Sequence, residues 1–172
     1  MPPDAPEVRG QEPVSMSCFV DADHAGCRVT RRSHTGVLIF INRAPILWYL
    51  KLQNTVEAST LGLAFMIAAK VAVEMVEGLP NKLQMMGVQV EGPTHVFCDN
   101  ESVGTNLTKP GSNLKKKHNA IAYHQVCEVQ ATGIVWIAKE DGETNLTEVL
   151  TKCLPGPQLL DELCSCVLRC RV

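Results

Sequence analysis

The sequence predicts an α/β domain built on a mixed five-stranded sheet flanked by helices. Three observations carry that prediction. Short β-rich runs and helical segments follow one another in the order β, β-hairpin, α, β, α, α, β, α. The chain has 172 residues, 45% of them hydrophobic, which suits one domain with a sizeable core. Two apolar runs stop abruptly on an acid: Cys18-Phe19-Val20 runs into Asp21, and His95-Val96-Phe97-Cys98 runs into Asp99.

In chain order, residues 1–13 hold four prolines and little apolar periodicity, and read as a linker remnant. Residues 14–22 form a strand, followed by the polar connection "CRVTRRSH". "TGVLIFIN" (35–42) and "APILWYLK" (44–51) are β-rich runs joined by Asn42-Arg43, so they pair as a hairpin. Residues 57–77 are helical by composition. They are apolar on nearly every face at the centre, which implies burial on more than one side, and Gly78 and Pro80 end them. "THVFC" (94–98) is the next strand, and a short helix starts near Glu101.

Residues 112–133 read as an amphipathic helix capped by Ser112 or Asn113 and stopped by Gly133. "IVWIAK" (134–139) is a strand, and "NLTEVLTK" a helix starting at Asn145. Trp48 and Trp136 lie in strands and are expected in the core. His118 and His124 lie six apart, do not share a face as metal ligands would, and read as packing or hydrogen-bonding residues.

Composition narrows the function classes. The formal net charge is −2, so the whole chain carries no nucleic-acid signal. No unbroken apolar stretch approaches the ~18–20 residues of a membrane span, and "MPPDAPEVRG" lacks the pattern of a secretory signal. The expected location is intracellular, cytoplasmic or nuclear, with the eight cysteines as reduced thiols. Cys164, Cys166 and Cys170 in the tail (155–172) fit no strong zinc spacing and read as a weakly packed end.

The two aspartates point to a site. A strand that follows a helix tends to join the sheet parallel to an earlier strand, so 94–98 is a natural parallel neighbour of 15–20. Sites in open α/β sheets lie beyond the carboxyl ends of such strands, where Asp21 and Asp99 fall. Carboxylates on strands ~4.8 Å apart repel unless one is protonated or a cation lies between them. An all-oxygen donor set favours Mg²⁺ or Mn²⁺ over zinc. A single aspartate after a strand is often only a turn former or helix cap; two at matched strand ends favour a site. A different enzyme class also fits the first segment: "CFVDADHAG" looks like the Asp-x-Asp nucleophile motif of haloacid-dehalogenase-type phosphatases, although "CDNES" is a poor version of the paired acids they need.

"CFVDADHAGCRVTRRSHTGVLIFINRAPILWY", "QNTVEAST", "VFCDNESV", "KKKHNAIAYH" and "KEDGETNLTEVLTK" together resemble the ribonuclease H domain of Ty1/copia-type retrotransposon polyproteins. The resemblance spans roughly residues 14–154. It implies an RNase H-like fold and a domain that follows a reverse transcriptase in the polyprotein. It also implies hydrolysis of the RNA strand of RNA–DNA hybrids, with four acids holding two Mg²⁺ or Mn²⁺ ions.

By the same resemblance the first acid falls on Asp21 and another on Asp99. The helix acid of "STFGSEF"-like relatives falls on Ala64, in "STLGLAF", and the acid of "NLADxxTK" falls on Glu148. Glu57 lies ~10.5 Å along the helix axis from Ala64 and cannot stand in; Glu74 and Glu77 are more remote still. The implied catalytic and metal-binding set is therefore Asp21, Asp99 and Glu148. Lys115, Lys116 and Lys117, helped by Arg31 and Arg32, are the expected phosphate contacts. The missing acid predicts an impaired nuclease. The alternatives are a catalytically inactive nucleic-acid-binding or structural remnant of the polyprotein, or a decayed reading frame.

Overall fold

In the computed structural model the described residues are 12–23, 26–27, 29–54, 61–99, 117–140, 144–152, 156–157 and 164; for 61–63 and 117–119 only the backbone is described. Among them, five strands form one sheet: β1 (Met16–Ala22), β2 (His34–Ile41), β3 (Ala44–Leu52), β4 (Thr94–Cys98) and β5 (Val135–Lys139). The spatial order is β3-β2-β1-β4-β5. β1 pairs antiparallel with β2, and β2 with β3; β1 and β4, then β4 and β5, pair in parallel. The α/β class and the mixed sheet hold.

The β2–β3 hairpin turns on Asn42 and Arg43. Asn42 takes a left-handed φ of 54°, which asparagine tolerates, and its side-chain oxygen accepts from the Ser15 amide at 2.9 Å. That contact ties the turn to the start of β1.

Four helices are described: α1 (Leu61–Glu77), α2 (Leu79–Met85), α3 (Lys117–Ala131) and α4 (Glu148–Thr151). α1 lies on one face of the sheet, with α3 beside it. Ala64, Ala68, Ala69 and Ala72 let α1 approach closely, and with Val73 and Val76 they pack onto Val20, Ile39, Val96 and Val135. Its all-round apolar character is thus explained by burial against both the sheet and α3. Gly133, at φ 74°, follows the C-terminus of α3, and its amide donates to Gln130 O at 3.0 Å.

Three expectations need correction. α1 does end at Glu77, but Pro80 opens a further helix not expected from the sequence: it occupies the first turn of α2, where a missing amide costs nothing. The helix expected from Asn145 starts at Glu148 instead, because the Asn145 side chain accepts the Thr147 amide at 3.1 Å and holds a turn first. Trp48 and Trp136 are not core residues, being 71% and 60% exposed. Strand alternation explains it: Leu47 and Tyr49 face the helices, so Trp48 faces the other way, and Val135 does the same to Trp136. The expected helix near Glu101, the caps Ser112 and Asn113, Cys166 and Cys170 lie outside the described residues.

The second sheet face carries an aromatic row. Phe40, Phe19, Phe97, His95 and Trp136 follow one another across the strands, with ring centroids between 5.1 and 6.1 Å apart. α4 lies on this face, against β2 and β1.

Candidate active site

The parallel register of β1 and β4 sets the two acids side by side. Val20 is level with Cys98, so the next residue on each strand is Asp21 and Asp99. Val20 and Cys98 point into the helix-side core, which turns Asp21 toward the opposite face, where α4 lies.

Asp21 is only 4% exposed. Burial pushes its carboxyl above the usual range, and the charges of Asp99 and Glu148 push further; a hydrogen bond from the Thr151 hydroxyl works against them. Asp99 is half-buried, and its carboxyl is raised first by burial and then by Glu148, with Lys152 opposing. The three carboxylates therefore share one electrostatic neighbourhood.

The segment before α4 is fixed from β1. The Asn145 side-chain amide donates to Val20 O at 3.1 Å, beside Asp21. From there the chain turns through Thr147 into α4, which presents Glu148 and, one turn later, Thr151 and Lys152. Glu148 forms an ion pair with Lys152. Burial works to lower the Lys152 ammonium, but the hydrogen bond and charge of Glu148, with Asp21 and Asp99 beyond, raise it above its ordinary value. Gly36 of β2 is level with Asp21, and a Cβ there would sit 2.8 Å from Thr151 Cγ2. The absent side chain lets α4 lie against the strand.

As a donor set, three carboxylates match a hard divalent cation. In the present arrangement no three His, Cys, Asp or Glu side chains among the described residues are gathered closely enough to hold one. Thr151 engages Asp21 and Lys152 engages Glu148 instead.

No protein-family model matches the chain. It is 30% identical over 156 residues, 90% of its length, to the retrovirus-related Pol polyprotein from transposon TNT 1-94 of Nicotiana tabacum. Against the corresponding polyprotein from transposon RE1 of Arabidopsis thaliana it is 26% identical over 141 residues. It covers 11% and 10% of those polyproteins, and so spans about a tenth of their length. RNase H1 from the archaeon Halobacterium salinarum superposes with a TM-score of 0.55 at 13% identity, over 88% of this chain and 99% of that one. The foamy viral protease-reverse transcriptase in complex with RNA/DNA hybrid gives 0.52 at 14% identity, over 91% of this chain and 22% of that one. The chain is a homologue of copia-type retrotransposon Pol polyproteins with an RNase H-like fold.

In this RNase H-like domain Ala64 is fully buried in the core cluster that also holds Val20, Ala22 and Cys98, the residues flanking Asp21 and preceding Asp99. Its carbonyl accepts from the Gln53 side chain at 3.1 Å. Arg31, in a left-handed conformation at φ 55°, is exposed, and Arg32 is half-buried, both on the β1–β2 connection. Lys115 and Lys116 lie outside the described residues, as does the side chain of Lys117. Among the described residues no helix is long and apolar enough to cross a membrane.

Asp23, the second acid of the Asp-x-Asp segment, engages His34 with both oxygens, one the backbone amide and the other Nδ1 at 2.8 Å. Sequence reasoning missed Thr151, Lys152, Asn145 and Gly36. The available signal was spacing: Thr151 and Lys152 follow Glu148 by three and four residues, one helical turn.

Proposed function

We propose that this domain hydrolyses the RNA strand of RNA–DNA hybrids with Mg²⁺ or Mn²⁺ held by Asp21, Asp99 and Glu148, and that this copy does so poorly because Ala64 replaces an acid. The observation that carries the reading is the pairing of Asp21 and Asp99 at level ends of adjacent parallel strands, with Glu148 within electrostatic reach of both. Two structural neighbours support the substrate class: the foamy viral protein and LC11-RNase H1 are each described in complex with RNA/DNA hybrid.

A bound divalent ion supplies an activated water and charge stabilisation for the leaving oxygen. The chain's own residues hold and orient. Asp21, Asp99 and Glu148 would hold the ion, whose positive charge would offset the repulsion among the three carboxylates. Thr151 fixes the Asp21 side chain. Lys115, Lys116, Lys117, Arg31 and Arg32 contact backbone phosphates of the hybrid, and the reverse transcriptase domain of the same polyprotein is the protein neighbour.

A second reading, hybrid binding without cleavage, is favoured by Ala64 itself. Cleavage of a labelled hybrid in Mn²⁺ separates the two. The parent should cleave slowly and Ala64→Glu faster by roughly 10²-fold, the scale of a displaced catalytic group. Adding Asp99→Asn to the revertant should remove the gain. Strong cleavage by the parent would mean that another group completes the site. Hybrid retention with no cleavage by parent or revertant would select the binding-only reading.

A further inference from the structure

Glu148 does not face the two aspartates freely; it is turned onto Lys152. A Glu–Lys pair four residues apart is ordinary on an exposed helix. This one differs in its surroundings. The preceding residue, Thr151, is bonded both to Asp21 and, at 3.4 Å, to the Thr147 carbonyl, so the end of α4 is pinned against the acid cluster. Lys152 leaves the helix in an extended conformation (φ −99°, ψ 141°) while its amide still donates to Glu148 O at 2.9 Å. Its backbone is thus held at the site while its side chain, 52% exposed, has a path to water. The ammonium is attracted by all three carboxylates, Glu148 first, then Asp21 and Asp99.

We propose that Lys152 is a resident counter-cation of the Asp21–Asp99–Glu148 cluster, which its ammonium neutralises in the metal-free chain and must vacate before Glu148 can ligate a divalent ion. The inference rests on the metal-binding reading above. It accounts for two facts together: Asp21 lies in the field of both Asp99 and Glu148, yet the three carboxylates are not gathered closely enough to form a coordination group. An ammonium and a divalent ion compete for the same negative field, so metal entry and Lys152 departure are coupled. In this copy Ala64 supplies no further acid, which gives Lys152 a larger share of the neutralisation than it has beside four.

Mn²⁺ titration by calorimetry and thermal melting in chelator test this on the intact chain, with Lys152→Met, Lys152→Gln and Lys152→Arg. The expected result is a crossed pattern. Lys152→Met and Lys152→Gln should bind Mn²⁺ tighter than the parent, on the order of tenfold, the effect of removing one like charge within ~4–6 Å. They should melt lower than the parent in chelator and recover the difference at saturating Mn²⁺. Lys152→Arg, which keeps the charge, should stay near the parent in both. Unchanged or weaker Mn²⁺ binding by Lys152→Met and Lys152→Gln, with binding still lost in Asp99→Asn, would overturn the counter-cation role alone. Absence of Mn²⁺ binding in every variant, parent included, would overturn it together with the metal-binding reading.

Discussion

Asp21 and Asp99 are acids held where their charge is disfavoured. Burial is the main cause for both, and neighbouring carboxylates add to it. A raised carboxyl pKa means that the folded chain keeps a proton which the unfolded chain has already released. The resulting penalty is absent below the ordinary carboxylate range and complete above the raised values, so metal-free stability falls as pH rises from about 4 through the raised values. Asn at position 99 carries no such charge. In chelator, Asp99→Asn should therefore melt above the parent at pH 7, and the two should converge below about pH 4. A lower melting temperature for the variant at pH 7 would mean that the Asp99 carboxylate stabilises the fold instead. At this scale the two strand-end aspartates were legible in the sequence, because apolar runs stopping on acids are a local pattern. The reading of Ala64 as the position of a missing acid rests on resemblance alone, since nothing around an alanine in an apolar helix points to an acid.

The elements explain why the site assembles where it does. α4 is four residues long and cannot be stable alone, so its place depends on contact with β2 and β1. Gly36 provides that contact. A Cβ there meets Thr151 Cγ2 at 2.8 Å, with Leu150 Cβ at 3.5 Å and Thr147 O at 3.6 Å behind it. Gly36→Ala should destabilise the chain by about 1–3 kcal/mol in denaturant melts, the range for overpacking, because Thr151 must shift off Asp21. Gly78→Ala is the contrast. Its backbone is right-handed (φ −87°) and nothing lies within 4 Å of its Cβ position, so a gain of about 0.4–1 kcal/mol is expected. Equal effects at both positions would remove the packing explanation. The hairpin was legible because Asn42-Arg43 is a turn signal between two β-rich runs. The start of α4 was not, because the Asn145 side chain binds both the Thr147 amide and Val20 O, and the second of these joins positions 125 residues apart.

Across the whole molecule the sheet separates two environments. The face under α1 and α3 is a continuous core, and the other carries the aromatic row, α4 and the acid cluster. The exposure of Trp48 and Trp136 was not legible, because β3 is apolar on both faces and local alternation cannot rank them. The parallel pairing of β1 and β4 was legible from element order, and it puts Asp21 beside Asp99. Whether those two aspartates jointly hold a cation is tested most directly by Mn²⁺ titration of the parent, Asp21→Asn, Asp99→Asn and the exposed control Glu91→Gln. The account predicts saturable binding by the parent, weakening of at least about tenfold in each aspartate variant and no change in the control. Binding by the parent that neither aspartate substitution weakens would contradict it.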